Sequence, residues 1–525
     1  MDQDRLSMEN SSSLQDTLLA STQTLSRLAA NVTKCSPEEE QELTHALTVW
    51  KTALNASSAV DSSQLSEATV LSILLHRSPS PALVELCCDV LDHLLAKLPF
   101  ASIMGSYKDL LQSGIESKLP PIHRLVLNIL QRALDRNSDL QALINSDLLT
   151  QLITAIAVKD SQMAKKAGAI LTQLGSKTMA LDALLSPDHL ALFESLAGID
   201  AVVKLRIYDL FASISMSSQA AFDYCAQNGV LAPLSGVVFG GDLLESLNVL
   251  EILTSFAETS NGYLFLEKTG VMDQMFNALQ SSPQEEDIVH RLAIAATIKF
   301  WGLLLFHQHE HAEAIQARFD LLGALQPFLE ESGDDIKDAI FVANANLGSK
   351  AEGVHILFQQ RIHLDTLLAM YRSSIGDAKI SLLRTYSCLL GVNSQHNSQL
   401  EEETLYIFEK LKAHGLGFKE LMHLTKSTIE DLSTASFAVI NGVLGHSWGI
   451  EQLAQSADLS QFVVLRQQGA QKLSMEWKMA LVRTILDNPA TPLTLGGLLR
   501  EKLDAYRQQG VYYTEMQPIV AMESA

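Results

Sequence analysis

The chain has 525 residues, 47% apolar, 19% charged and 6% aromatic, with 27 Gly and 13 Pro. This balance excludes a largely disordered chain, a collagen-like fibre and a small disulfide scaffold, and leaves either several ordinary domains or one long array of repeats. With 38 Lys and Arg against 60 Asp and Glu, the formal charge of −22 opposes nucleic-acid phosphate and anionic membranes and favours basic or apolar protein partners.

In chain order, residues 1–13 are polar and Ser-rich, unlike a secretory signal, and are expected to be a disordered N-terminal extension. Residues 14–105 are expected to form a helical cap, 106–513 a series of repeats and 514–525 a flexible tail. The cysteines Cys35, Cys87, Cys88, Cys225 and Cys388 are odd in number and lack CxxC spacing, which fits a reducing compartment. No apolar run approaches the ~18 residues that cross a bilayer. The expected location is cytoplasmic, with the nucleus also open.

Apolar residues recur at helical spacing, as in Leu148, Leu149, Leu152 and Ile153, or Leu250, Leu253, Phe256 and Ala257. Asp147, Asp188, Gly229 and Gly270 stand 41 residues apart, and each is expected to open a helix. Four residues before them stand Leu143, Leu184, Cys225 and Leu266; five after stand Leu152, Phe193, Leu234 and Met275. A period near 40 with two or three helices per unit predicts an all-α, armadillo/HEAT-like right-handed superhelical solenoid, because one unit cannot bury both of its apolar faces alone. Beyond Gly270 the register loosens, with helix starts expected near Asp320, His363, Gly415 and Asp458.

Several short motifs carry chemistry elsewhere. Gly445-His446-Ser447-Trp448-Gly449 fits G-x-S-x-G, which exposes a nucleophilic serine in α/β-hydrolases; that reading also needs a downstream histidine and βαβ alternation, and neither is present. His307-Gln308-His309-Glu310-His311 fits H-x-x-E-H, a zinc peptidase pattern, yet no third ligand is identifiable and a polar turn is the expectation. Gly348 and Gly353 have phosphate-loop spacing but are followed by Val354 and His355 rather than Lys and Ser or Thr. Gly415 and Gly417 lack a third glycine and a flanking strand. The acidic groups Glu38 to Glu40, Glu330-Glu331 with Asp334-Asp335, and Glu401 to Glu403 suit solvated helix starts and loops. No cofactor, metal or catalytic residue is assigned, so the chain is expected to act by binding and not as an enzyme.

Val203-Lys204-Leu205-Arg206-Ile207-Tyr208-Asp209-Leu210, then Tyr224-Cys225 and Gly229, begin a set of islands in consistent order. Glu251 to Ala257, Gly262, Leu266, Gly270 to Asp273, Leu347-Gly348-Ser349, Glu352-Gly353, Leu357, Trp448 and Gly510-Val511-Tyr512-Tyr513 continue it. Over residues 120–515 the chain resembles the armadillo-like family of 26S proteasome non-ATPase regulatory subunit 5. The resemblance implies a non-catalytic assembly chaperone that holds ATPase subunits of the regulatory particle base, through an ATPase C-terminal domain, before the complete proteasome forms. A free monomer is the simplest expectation.

Armadillo architecture lines its concave groove with the third helix of each unit. That frame places Asn248, Glu251 and Ser255 on the exposed side of one such helix, with Lys299 and Asn346 at comparable positions in later units. Arg206 and Tyr208 suit either binding or the joining of adjacent units. The alternative within the same architecture is a generic armadillo adaptor; Glu251 and Ser255 do not reproduce the Trp and Asn ladder of nuclear-transport armadillo proteins. A serine hydrolase centred on Ser447 is the alternative from a different class.

Overall fold

The computed structural model describes residues 2–31, 35–56, 65–76, 79–117, 119–237, 243–280, 288–331, 333–392, 397–466 and 472–513. Among the described residues there is no strand. The chain divides into two compact units, 1–232 and 233–525.

The first unit opens with α1 (Asp2–Ala29), α2 (Pro37–Ala56), α3 (Glu67–His76) and α4 (Pro81–Leu95). Three helical triplets follow: α5 (Phe100–Ser106), α6 (Lys108–Ile115) and α7 (Pro120–Ala133); α8 (Asn137–Ile144), α9 (Leu148–Thr154) and α10 (Ser161–Gly175); α11 (Thr178–Leu184), α12 (Pro187–Ala197) and α13 (Ala201–Met216). The next triplet, α14 (Gln219–Gln227), α15 (Ala232–Val237) and α16 (Leu243–Phe256), contains the boundary between the units.

In the second unit come α17 (Ser260–Lys268), α18 (Val271–Gln280) and α19 (Ile288–His307), then α20 (Ala312–Phe319), α21 (Leu321–Glu331) and α22 (Asp334–Leu347). They are followed by α23 (Ala351–Gln359), α24 (Arg361–Ala369) and α25 (Gly376–Leu390), and by α26 (Ser398–Ala413), α27 (Phe418–Leu424) and α28 (Glu430–Leu444). α29 (Ser447–Gln455), α30 (Ala457–Val464) and α31 (Lys472–Asp487) form the last full triplet, and α32 (Thr491–Thr494) with α33 (Gly497–Gln509) closes the unit.

Third helices pack on third helices. In the first unit α4 lies against α7, α7 against α10 and α10 against α13; in the second, α16, α19, α22, α25, α28 and α31 pack in succession. Each unit is therefore an all-α stack of armadillo/HEAT-like repeats, in which the apolar face of one triplet is completed by the next. In α22, for example, Ile336, Ile340 and Phe341 are buried; in α28, Phe437, Ile440 and Val443. Polar rungs between neighbouring third helices repeat at nearly one-unit spacing: Arg132–Asp92 at 2.7 Å, Arg291–Asp335 at 2.7 Å, Arg384–Asp431 at 2.6 Å, and Thr484 donating to Asn441 at 2.8 Å. Half-exposed pairs of this kind add little energy individually, but they favour one register over a slip.

The expected helix starts fall on the second helix of the triplets. Asp147 precedes α9, Asp188 lies in the first turn of α12, and Gly229 and Gly270, with φ of +71° and +72°, lead into α15 and α18. Asp320 precedes α21, His363 lies within α24, Gly415 precedes α27 and Asp458 is in the first turn of α30. The register loosens there because the helices lengthen: α19 has 20 residues and α26 has 16.

Near the N-terminus, α1 is assigned across Asp2–Ala29 and so runs through 2–13, where the sequence suggested a disordered extension. Long-helix stacking begins with α2 on α4, ahead of residue 106, because α2 carries the buried stripe Leu43, Ala46, Leu47 and Trp50. Lys51 on α2 pairs with Asp89 on α4 at 2.6 Å, another rung of the same kind. Residues 514–525, expected to be a flexible tail, lie outside the described residues.

Arg206 joins repeats. From α13 its Nη1 donates to the carbonyls of Ile156 and Val158, both at 2.9 Å, in the turn that leaves α9. Carbonyls at a helix end have no intrahelical donor, so the guanidinium satisfies groups that burial would otherwise strand. Arg206→Ala is expected to cost about 2 kcal/mol. Hydrogen exchange should show faster amide exchange around 155–160, while α4 and α7 keep their protection.

Candidate functional site: the third-helix face

The five residues expected to meet a partner all lie on third helices of the second unit. Asn248 and Glu251 are exposed on one face of α16, and Lys299 is exposed on α19. Ser255 is half-buried, with its hydroxyl donating to the Ile252 carbonyl at 2.6 Å. Asn346 is half-buried in the last turn of α22, where its carbonyl accepts from Ser349 Oγ at 2.7 Å. The fold thus places them on successive packed helices, with three of the five exposed and Ser255 and Asn346 half-buried.

The remaining motifs resolve into helix junctions. Ser447 is the first residue of α29, exposed, and its backbone N–H donates to the Glu401 carboxylate at 3.1 Å. His446 beside it is buried; its Nε2 donates to the Leu390 carbonyl at 2.7 Å, and its Nδ1 lies 3.6 Å from Glu401. That ring is positioned to join α28 to α25, and Trp448 stacks on it at 5.3 Å while donating Nε1–H to Thr404 at 3.2 Å. His307 ends α19, and His309–His311 form a short 3₁₀ turn before α20; the His311 ring stacks on Tyr263 at 4.9 Å. Among the described residues no three His, Cys, Asp or Glu side chains converge as metal ligands would.

Gly353 and Gly449 are the third residues of α23 and α29. A Cβ built on either would fall on a main-chain carbonyl at the end of the preceding third helix, that of Leu347 for Gly353 and of Val443 for Gly449. These glycines are steric requirements of the repeat, in place of a phosphate cradle or a nucleophile elbow. Glu403 departs from the solvated reading of its acidic run: it is only 2% exposed and accepts from His355 Nδ1 at 2.6 Å and from Gln399 at 3.0 Å, tying α26 to α23. Burial pushes the Cys87 and Cys225 thiols well up, the latter to about 12, so they pack as inert apolar groups.

A cleft of about 500 Å³ opens where α25, α28 and α31 meet. Its floor includes Gly391, Gly442 and Gly445; Asn441, Trp477, Arg483 and Asp487 stand around it. Gly442 is needed because a Cβ there would press on the Leu390 carbonyl group and the Gly391 nitrogen, the C-terminal end of α25. Sequence reasoning missed this cleft, and its only local sign is the run of glycines at two third-helix ends.

Lys478, next to Trp477 on α31, turns inward. It is 7% exposed, donates to the Phe462 carbonyl, and lies over the Phe462 ring at 3.2 Å from the centroid. Burial, with a smaller push from Lys426, lowers its pKa to about 7. Below that value folded and unfolded chains both hold the proton and the burial penalty is complete; between about 7 and the ordinary lysine value only the unfolded chain holds it, so stability rises with pH. The chain is therefore expected to gain stability relative to Lys478→Met as pH rises from 7 to 9, by up to about 1.4 kcal/mol per pH unit. Denaturant unfolding of both proteins across that range checks it.

The family described as proteasome non-ATPase 26S subunit matches residues 25–525. The Homo sapiens protein named 26S proteasome non-ATPase regulatory subunit 5 is 24% identical over 451 residues, covering 84% of this chain and 88% of its own length. Its Drosophila melanogaster namesake is 20% identical over 465 residues, covering 85% and 86%. A crystal structure of an engineered protein superposes with a TM-score of 0.40 at 14% identity, over 80% of this chain and 98% of that one, a likeness too loose to add to the stacking seen directly. Gly262, Gly353, Trp448 and Arg206, which carried the family likeness in the sequence, are junction residues between packed helices. By that match, which spans nearly its whole length, the chain belongs to the proteasome non-ATPase 26S subunit family.

Proposed function

We propose that the chain is a non-catalytic chaperone for assembly of the base of the 26S proteasome regulatory particle. It holds an ATPase subunit, by that subunit's C-terminal domain, on the exposed face of its third helices, and it lets go before or during final assembly. The reading rests on the family match over residues 25–525. Exposed Asn248, Glu251 and Lys299 on adjacent third helices, and the overall charge of −22, suit a protein client better than a nucleic acid or a membrane. Binding alone orders assembly, since a covered ATPase surface is withheld from later partners. The protein works in the cytoplasm, with the nucleus as a second site, as a monomer when free and without a cofactor.

Affinity capture of the full chain from cells tests this. A base ATPase subunit should be recovered with little mature 26S proteasome; recovery of neither an ATPase nor a base intermediate removes the proposal. Fluorophosphonate labelling of the same preparation should leave Ser447 unmodified.

A further inference from the structure

We infer that the cleft between α25, α28 and α31 is the docking groove of the chain's own segment 514–525. The last described residues are fastened beside it. Tyr512 donates its hydroxyl to Glu476 at 2.6 Å, and Arg466 donates to the Tyr506 carbonyl at 2.9 Å with its guanidinium 5.4 Å from the Tyr513 ring centroid. Glu476, Ala480, Arg483 and Asp487 follow one another at helical spacing and share one face of α31. Arg483 and Asp487 line the cleft. The chain thus leaves the described fold at one end of the stripe that leads into it.

Reach and chemistry both fit. From Glu476 to Asp487 the helix rises roughly 16 Å, whereas twelve extended residues span up to about 40 Å. The segment offers Met516, Ile519, Val520 and Met522 to Trp477, and Glu515 and Glu523 to exposed Arg483. Trp477 is partly exposed, whereas Trp50, Trp301 and Trp448 are 0%, 2% and 7% exposed, so of the four tryptophans this is the one whose ring is open, and it opens into the cleft. Thioether contacts on an aromatic edge and a carboxylate on a guanidinium are favourable pairings. A short tether gives the segment an effective concentration in the millimolar range, which makes even weak docking in cis outcompete the same contact in trans. The inference concerns the chain by itself and stands or falls apart from the proposed client.

The test uses the full chain with Ile519 replaced by the photo-crosslinker p-benzoylphenylalanine. Irradiation should give intramolecular adducts on cleft residues of α28 and α31, in a yield unchanged over a hundredfold dilution and reduced several-fold by Arg483→Glu. Adducts elsewhere, or none, overturn the inference; so does a yield that climbs with concentration, which assigns the groove to a second copy. As an independent readout, Met516→Asp with Ile519→Asp should raise acrylamide quenching of the tryptophan emission about twofold through Trp477, and unchanged quenching also overturns it.

Discussion

Gly353→Ala and Gly449→Ala are each expected to destabilise the second unit by about 3 kcal/mol, although both put a better helix former into a helix. On an open helix surface the exchange would gain roughly 0.5–1 kcal/mol. Here the added methyl meets the carbonyl group of Leu347 or Val443, which belongs to the main chain of the preceding helix and has no rotamer to step aside with. The first helix of the repeat must then lift off the third helix before it, and stacking on both sides is disturbed. In a stacked array the damage is felt by neighbouring repeats first, so the readout is local. Amide protection should fall in α22–α24 for Gly353→Ala and in α28–α30 for Gly449→Ala. Gly168→Ala in α10, where nothing lies within 4 Å of the added carbon, is the control and should stabilise. Ser447→Ala, at an exposed side chain two residues from Gly449, should leave stability within about 0.5 kcal/mol. Wild-type protection in Gly449→Ala would remove the steric explanation of the G-x-S-x-G glycine.

The second large effect is acid lability centred on His363. This side chain, 3% exposed in α24, meets Asn344 Oδ1 at 3.1 Å through Nε2, while Asn344 donates its amide to the Ile340 carbonyl at 2.9 Å. Asn344 Oδ1 is an acceptor, so Nε2 carries the proton in the neutral ring. Burial lowers the imidazole pKa to about 4, with the Leu322 backbone acting weakly the other way. The folded chain keeps the ring neutral while the unfolded chain protonates it at the ordinary histidine value. The stability this contributes is present above about pH 6.5 and is lost as pH falls toward 4. The total is about 3 kcal/mol, lost at up to about 1.4 kcal/mol per pH unit. His363→Gln, which can still donate to Asn344, should flatten the stability difference between pH 6.5 and 4.5. Parallel acid curves for the two proteins would show that another group carries the transition.

The order and type of the elements were legible because helix formation and repeat stacking answer to local rules. Apolar residues at helical spacing mark the helices one by one, and a left-handed glycine stands ahead of the second helix at Gly229, Gly270 and Gly415. Even where spacing drifted, Asp320, Gly415 and Asp458 still marked second helices, since the chain must turn there whatever the length of the helix before it.

Read residue by residue, the chain already declares an all-α repeat protein of this family, with second helices starting near Asp147 to Asp458 and third helices that hold Asn248, Glu251 and Lys299 at the surface. Helix-on-helix packing is what reveals that Gly353 and Gly449 are contact points between helices, that Glu403 is buried on His355, that Arg206 holds carbonyls of the repeat before its own, and that a cleft opens beside Trp477. These contacts join residues far apart in the chain. Arg206 reaches back 50 residues to Ile156, and Glu403 meets a histidine 48 residues earlier. Such contacts depend on how closely successive helices approach, a quantity set by side chains on both elements together and by neither one's periodicity alone.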